Sequence, residues 1–420
     1  MKMKLLFRLA VAALMVSASI LGAGSAFGQA AGSLDPTFGS GGTSLTNIDT
    51  LVIDAIELQS NGEILVLLQP TSGTNELARF TTAGSLDTTF GTNGVASLAS
   101  GIGLAIALQS NGQIVVMGIV SNSSGNFVGV ERLNANGTED TTFGSSGVAL
   151  ASLGTRAPLE GDAILVEPNG DILVAVGLDP AGRRASGQVL FARFLSTGVL
   201  DNSFGNDGVV IANGATSISA LALLSNGDFL NVFGSTAVEF SANGTQLSSV
   251  SAASLVASSG SNNSVFSTEV FQPNGDFLYA SDDFVGEESR GHNSSVLVER
   301  FSEAGAADST FADPSFHFVG AGGTDIEALV NGIAVAPNGD IVVVGEQETF
   351  AASGDTIVNG LARLTISGAL DSTFGSGGLV SNSTPSGSGG FEVVAVQSNA
   401  NIVVAGIANN ELFLSRYLGN

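Results

Sequence analysis

Cysteine and tryptophan are missing from the 420 residues, tyrosine and histidine occur twice each, and only 13 residues are basic against 38 acidic. Without cysteine there is no disulfide framework, no thiolate zinc site and no cysteine nucleophile. The two histidines, His292 and His317, form no pair at metal-ligating spacing. No Gly-x-Ser-x-Gly elbow, phosphate-cradling loop or dinucleotide fingerprint occurs, although glycine is abundant. A net charge of −25 opposes phosphate backbones and anionic headgroups, which argues against nucleic-acid and membrane-surface partners. Yet 44% of residues are apolar and only 12% charged, so the chain has the material for a core.

Basic residues lead the chain and then thin out. Lys2, Lys4 and Arg8 precede the apolar run from Leu9 to Leu21, and small residues follow from Gly22 to Ala26. This pattern predicts a signal peptide over residues 1–31, with an apolar region too short to span a bilayer. The expected mature chain, 32–420, is one domain, secreted, periplasmic or displayed at the cell surface. It retains ten bases against 38 acids, a net charge of −28, and no lysine.

A repeat fills that mature chain. Hairpin tips recur at Asn61-Gly62, Asn111-Gly112, Asn169-Gly170, Asn226-Gly227, Asn274-Gly275, Asn338-Gly339 and Asn399-Ala400. Asn-Gly between apolar runs predicts a tight hairpin, since both residues tolerate positive φ. The run after each tip, such as Ile114-Val115-Val116, is apolar on consecutive residues, as in a strand buried on both faces. A third strand carries Arg79, Arg132, Arg193, Arg300, Arg363 or Arg416, with Glu239 in the fourth unit. Eight residues after five of these arginines stand Asp87, Asp140, Asp201, Asp308 and Asp371, each opening an Asp-x-(Thr/Ser)-Phe corner before a fourth strand. The unit with Glu239 has Leu247 at the Asp place, so both partners are lost together. This predicts a structural Arg–Asp pair in each unit, because deleting one partner of a buried pair costs about 3–5 kcal/mol. A ring of anion-binding arginines is the competing explanation.

The two ends of the chain complete each other. Asp35-Pro36-Thr37-Phe38-Gly39 is a corner with no third strand before it, and Arg416 lies in a third strand with no corner after it. Joining Asn420 to Gly32 places Asp35 eight residues after Arg416 and gives a repeat of 52 residues, inside the range of 46 to 63 seen elsewhere. Complementary ends describe a ring and not a capped solenoid. The expected fold is all-β, a seven-bladed β-propeller of four-stranded antiparallel blades, its last blade taking an outer strand near Thr43–Thr46 from the N-terminus.

Taken together, Leu-Ala-Arg-Phe, Gly-Ser-Leu-Asp-x-Thr-Phe-Gly, Gln-x-Asn-Gly and Ile-Val-Val resemble the delta-60 repeat family of bacterial propeller proteins, over essentially all of 32–420. The resemblance implies the propeller fold and no particular chemistry. Glu239, Leu247 and Ala400 depart from the pattern.

Carboxylates are the remaining candidates for a site. If the strand before each tip lies innermost, the residue seven before each tip Asn lines one mouth of the channel: Asp54, Leu104, Asp162, Ser219, Ser267, Asn331 and Glu392. Asp54, Asp162, Asn331 and Glu392 are the ligand-binding candidates, and oxygen donors around one axis suit Ca²⁺ or a polar ligand. The stretch Asp282–Glu288, with Arg290 and His292, predicts a charged rim loop between the second and third strands of its unit. The favoured function is a monomeric scaffold that binds a protein or glycan through its rim or mouth and has no catalytic residues. The alternative is a hydrolase or lyase acting through Asp54, Asp162 and Glu392, assisted by Ca²⁺.

Overall fold

The computed structural model describes residues 29–419 apart from 100, 155, 180–186, 214–217, 219, 234–235, 252–266, 273, 285–293, 303–305, 320–325, 351–355 and 383–389. Most of the expected signal peptide, His292 and Asn420 therefore lie outside the described residues. Strand β1 (Thr43–Asp49) precedes blade 1, which holds β2 (Val52–Leu58), β3 (Ile64–Gln69), β4 (Glu76–Phe80) and β5 (Val95–Ser97). Blade 2 holds β6 (Ile102–Leu108), β7 (Ile114–Asn122), β8 (Gly125–Leu133) and β9 (Val148–Ser152), and blade 3 β10 (Pro158–Val166), β11 (Ile172–Leu178), β12 (Gln188–Phe194) and β13 (Val209–Asn213). Blade 4 holds β14 (Ala220–Leu223), β15 (Phe229–Phe233), β16 (Thr236–Phe240) and β17 (Gln246–Ser251), and blade 5 β18 (Ser267–Phe271), β19 (Phe277–Phe284), β20 (Ser294–Phe301) and β21 (Ser315–Phe316). Blade 6 holds β22 (Ile326–Val335), β23 (Ile341–Thr349), β24 (Thr356–Leu364) and β25 (Leu379–Asn382). In blade 7, β26 (Phe391–Val396), β27 (Ile402–Ala408) and β28 (Glu411–Tyr417) are completed by β1.

The first strand of every blade packs on the first strands of its two neighbours, and β26 against β2 closes the circle. This is the seven-bladed β-propeller. At the closure Thr43 pairs with Ser415, and Gly32 donates to the Leu418 carbonyl at 2.8 Å. The second strand of blade 1, Ile64–Leu68, is fully buried because both of its faces meet another blade.

The hairpin tips differ from the expected turn. Gly62 donates to the Gln59 carbonyl and Gln59 to the Glu63 carbonyl, at 2.8 and 2.9 Å, so three residues form the loop. Only the glycine, at φ 86°, is left-handed, which fits a type I turn closed by a glycine bulge. Asn61 instead supplies its side-chain oxygen to the Glu63 amide at 3.1 Å. Ala400 occupies the glycine place in blade 7 at φ 66°, at a strain of about 1 kcal/mol.

Each arginine of the repeat is bound inside its blade and across to the next. In blade 1, Thr89 donates its amide and hydroxyl to Asp87 Oδ1 at 3.0 and 2.7 Å. Oδ2 then receives Arg79 Nε and Nη2 at 2.9 and 2.6 Å. The guanidinium carbon stands 4.7 Å from the Phe90 ring centroid, a cation–π distance. The third nitrogen, Nη1, donates to the Ala135 carbonyl of blade 2 at 2.6 Å. Arg132 reaches Ser196, Arg193 reaches Ala242, Arg300 reaches Ile366, Arg363 reaches Gly419 and Arg416 reaches Thr82 in the same way. Their carboxylates are Asp140, Asp201, Asp308, Asp371 and Asp35. Beside the guanidinium the Gly91 amide donates to the Asn136 carbonyl, and a Cβ on Gly137 would stand 2.7 Å from the Phe90 ring. Only glycine lets the two blades approach so closely.

The closing pair is buried, with side-chain exposures of 10% for Arg416 and 7% for Asp35. Arg416→Ala and Asp35→Ala are each expected to destabilise the fold by about 3 kcal/mol, and the double variant by clearly less than the sum. Urea unfolding of the four proteins measures this; strict additivity would contradict the pairing.

Candidate functional site

Four of the positions expected at the mouth fall on interruptions of the inner ladder. Pairing of β2 with β3 skips Asp54, that of β22 with β23 skips Asn331, and that of β26 with β27 skips Glu392. Pairing of β6 with β7 skips Gly103 and Leu104, while Asp162 pairs with Val176 directly after an irregular stretch of β10. A bulge leaves its residue outside the ladder and re-aims its side chain, which is how backbone geometry lifts these side chains out of the sheets. Ser267 opens β18, and Ser219 lies outside the described residues.

Their surroundings differ. Asp54 Oδ1 accepts a 3.0 Å bond from Gln69 Nε2, and its buried Oδ2 has no partner. Burial pushes Asp54 up to about 7 despite the Gln69 bond. Asp162 has a buried Oδ1 without a partner, and burial pushes it up to about 7 as well. Asn331 is committed to structure: its Nδ2 donates 2.8 Å to the Phe391 carbonyl, tying blade 6 to blade 7. Glu392 and Glu346 both approach the backbone of Gly390, where a Cβ would lie 3.7 and 3.1 Å from their oxygens. Asp54, Asp162 and Glu392 thus come from blades 1, 3 and 7. Among the described residues no three His, Asp or Glu side chains are placed to hold one metal ion.

Glu57, one turn of the ladder from Asp54, was not singled out by the repeat spacing. Burial pushes it up to about 7, with the Leu58 amide acting in the opposite direction. The equivalent residues elsewhere are Ala107, Leu165, Ala222, Val270, Ala334 and Ala395, so Glu57 breaks an otherwise apolar ring. Comparing each position across the seven units is the signal that would have found it.

A second acidic place lies in a cleft of about 550 Å³ between blades 1 and 2, lined by Glu131, Glu139, Thr92, Ser97 and Thr138. Burial raises Glu131; the Ala99 amide, donating to it at 2.8 Å, pulls the other way, and Glu139 adds to the rise. Glu131 thereby satisfies an amide just beyond β5, which has only three residues. The charged stretch near residue 282 begins differently from its expected loop: Asp282 is buried within β19, opposite Val296. Residues 285–293 lie outside the described residues. His317 has a buried Nε2 with no hydrogen-bond partner.

A family model for a β-propeller domain of unknown function (DUF5122) matches residues 59–90, 109–143 and 336–374. Each segment begins two residues before a tip Asn and ends on a corner Phe. No curated protein matches the chain. Among solved structures it is similar to a protein of unknown function from Bacteroides caccae, at 18% identity and TM-score 0.38 over 76% of this chain and 96% of that one. It is also similar to the WD40 domain of Neurospora crassa Pan2, at 8% identity and TM-score 0.44 over 88% and 89%. An endo-arabinase from Bacteroides thetaiotaomicron is similar at 8% identity and TM-score 0.32 over 74% and 94%.

Because burial raises Asp54 and Asp162 from 3.8 to about 7, the folded chain holds extra protons between those values. Their effect on stability is most favourable below that window and worsens as pH rises through it. Asp54→Asn is expected to raise the melting temperature at pH 8 by roughly 2 °C or more, and far less at pH 4. Thermal scans at the two pH values check this, and an equal shift at both would contradict the buried carboxyl.

Proposed function

We propose that the protein is an exported propeller scaffold of the delta-60 repeat type that binds a protein or glycan partner through its channel mouth. The observation that carries this is the set of interrupted ladders, which brings Asp54 and Glu392 out of the sheets while Asp54 and Asp162 keep oxygens without protein partners. Buried acceptors lacking donors favour a ligand rich in N–H or O–H groups. The acidic balance of the chain steers basic partners toward it. The three matched family segments support the delta-60 resemblance, since they cover the hairpin and corner on which it rests. Export rests on the pattern of residues 1–31; among the described residues no helix is long and apolar enough to cross a membrane. Calcium enters as an accessory ion shared between mouth carboxylates and the bound partner.

A second reading, a hydrolase or lyase at the same mouth, is favoured by one observation. Carboxyls titrating near 7 suit general acid–base work at neutral pH.

Binding of the purified mature chain to a glycan array and a basic-peptide array, with Ca²⁺ and with a chelator, tests both. Spots retained by the wild type and lost by Asp54→Asn/Asp162→Asn are expected. Retention by the double variant would move the site away from the mouth, and release of soluble product from a bound glycan would select the enzyme.

A further inference from the structure

Six joints of the ring share one device, and the sequence of blade 4 cannot build it. Where a blade grips its successor, a guanidinium and a corner amide reach carbonyls of the next turn, and at five of the six joints a corner phenylalanine lies on that turn's glycine. Blade 4 has Glu239 in place of the arginine, its carboxylate accepting from Ser248 Oγ at 3.2 Å. Its third and fourth strands are joined by the short turn Ser241–Thr245, closed at 2.8 Å, so β17 begins where the corner would stand. Among the described residues neither guanidinium nor corner ring stands there to hold blade 5. The grip from blade 3 is intact: Arg193 Nη1 reaches the Ala242 carbonyl at 2.5 Å and the Gly205 amide reaches Asn243 at 3.0 Å.

An independent defect lies in the same blade. Asn231, in the middle of β15, is 1% exposed and its Oδ1 has no hydrogen-bond partner. The same place holds Val66, Val116, Val174, Tyr279, Val343 and Val404 in the other blades. An unpaired buried amide oxygen destabilises by about 1–3 kcal/mol; others lie at Gln109, Gln272 and Gln397 beside the hairpin tips, but blade 4 is the one that carries it inside its second strand among the described residues. The closure of the chain ends, where a ring made from two termini would be expected to part, keeps the guanidinium and corner-amide grips on both sides. Arg416 reaches Thr82 of blade 1, and Arg363 of blade 6 reaches Gly419.

We propose that the ring opens first at the joint between blades 4 and 5, with blade 4 as its least stable unit, while the closure of the termini stays shut. Such an opening is a sub-global event that leaves the other six joints in place and uncovers the edges of β14 and β18 from the side. It goes beyond the binding proposal and is independent of it.

The absence of native cysteine gives a clean test. Val232, Val344 and Val403 are each 0% exposed and face the joints 4–5, 6–7 and 7–1. Single Val→Cys variants of the full mature chain, pulsed with a maleimide under native conditions, should label at least about tenfold faster at 232 than at the other two sites. Adding Asn231→Val should slow labelling at 232. Equal rates, or fastest labelling at 403, would overturn the proposal. Hydrogen exchange of the unmodified chain decides the matter even where a cysteine variant fails to fold. Peptides from 220–251 should exchange ahead of those from 391–417, and the reverse order or simultaneous exchange would overturn it.

Discussion

A carboxylate that is saturated before it meets its cation organises this molecule. One oxygen of each repeat Asp is occupied by the amide and hydroxyl two residues on, so the other is aimed at the arginine, whose remaining nitrogen is left for the neighbouring blade. Burial acts to raise these carboxyls, but the local Thr or Ser donors and the guanidinium outweigh it and hold Asp35, Asp140, Asp201 and Asp371 below the usual range. At Asp87 and Asp308 the Thr hydroxyl is the largest influence, and Asp308 is drawn down to about 2. Because the same guanidinium closes the pair and bridges the joint, the order inside a blade and the order between blades are one interaction.

Two populations of acid therefore pull stability in opposite directions with pH. The paired aspartates contribute above the unfolded carboxyl value, and that contribution disappears as pH falls through their lowered folded values. The buried acids Asp54, Glu57 and Asp162 do the reverse, growing unfavourable as pH rises toward 7. The paired acids are best satisfied at neutral pH, where burial of the other three costs most. That division separates the acids that hold the ring from those that burial disfavours.

The repeat made much of this legible in advance. The constant spacing from Arg79 to Asp87 and its recurrence, the joint loss at Glu239 and Leu247, and the matching of Asp35 to Arg416 all survive in one dimension because each partner is a side chain. The other half of the joint does not: Ala135, Ser196 and Thr82 accept through carbonyls, and a carbonyl has no residue identity. Ladder register is equally silent: counting from the tip Asn picks out Asp54 and Glu392, but not the bulges on which they sit. Asn-Gly signalled each hairpin correctly and the turn type wrongly, since a three-residue loop needs left-handed backbone only at the glycine. Asp282 was misplaced because charge suggests a loop, whereas the end of β19 buries it.

The shared sheet of blade 7 also sets an order of events. Thr43 and Ser415 lie 372 residues apart yet are directly paired. At ordinary rates of synthesis, roughly 20 to 75 seconds separate the appearance of one from the other. During that interval β1 is an unpaired strand, and six blades can assemble with their cycle incomplete. Circularity arrives only with the last few amino acids, so a prematurely terminated chain keeps nearly all of its local contacts but none of its closure.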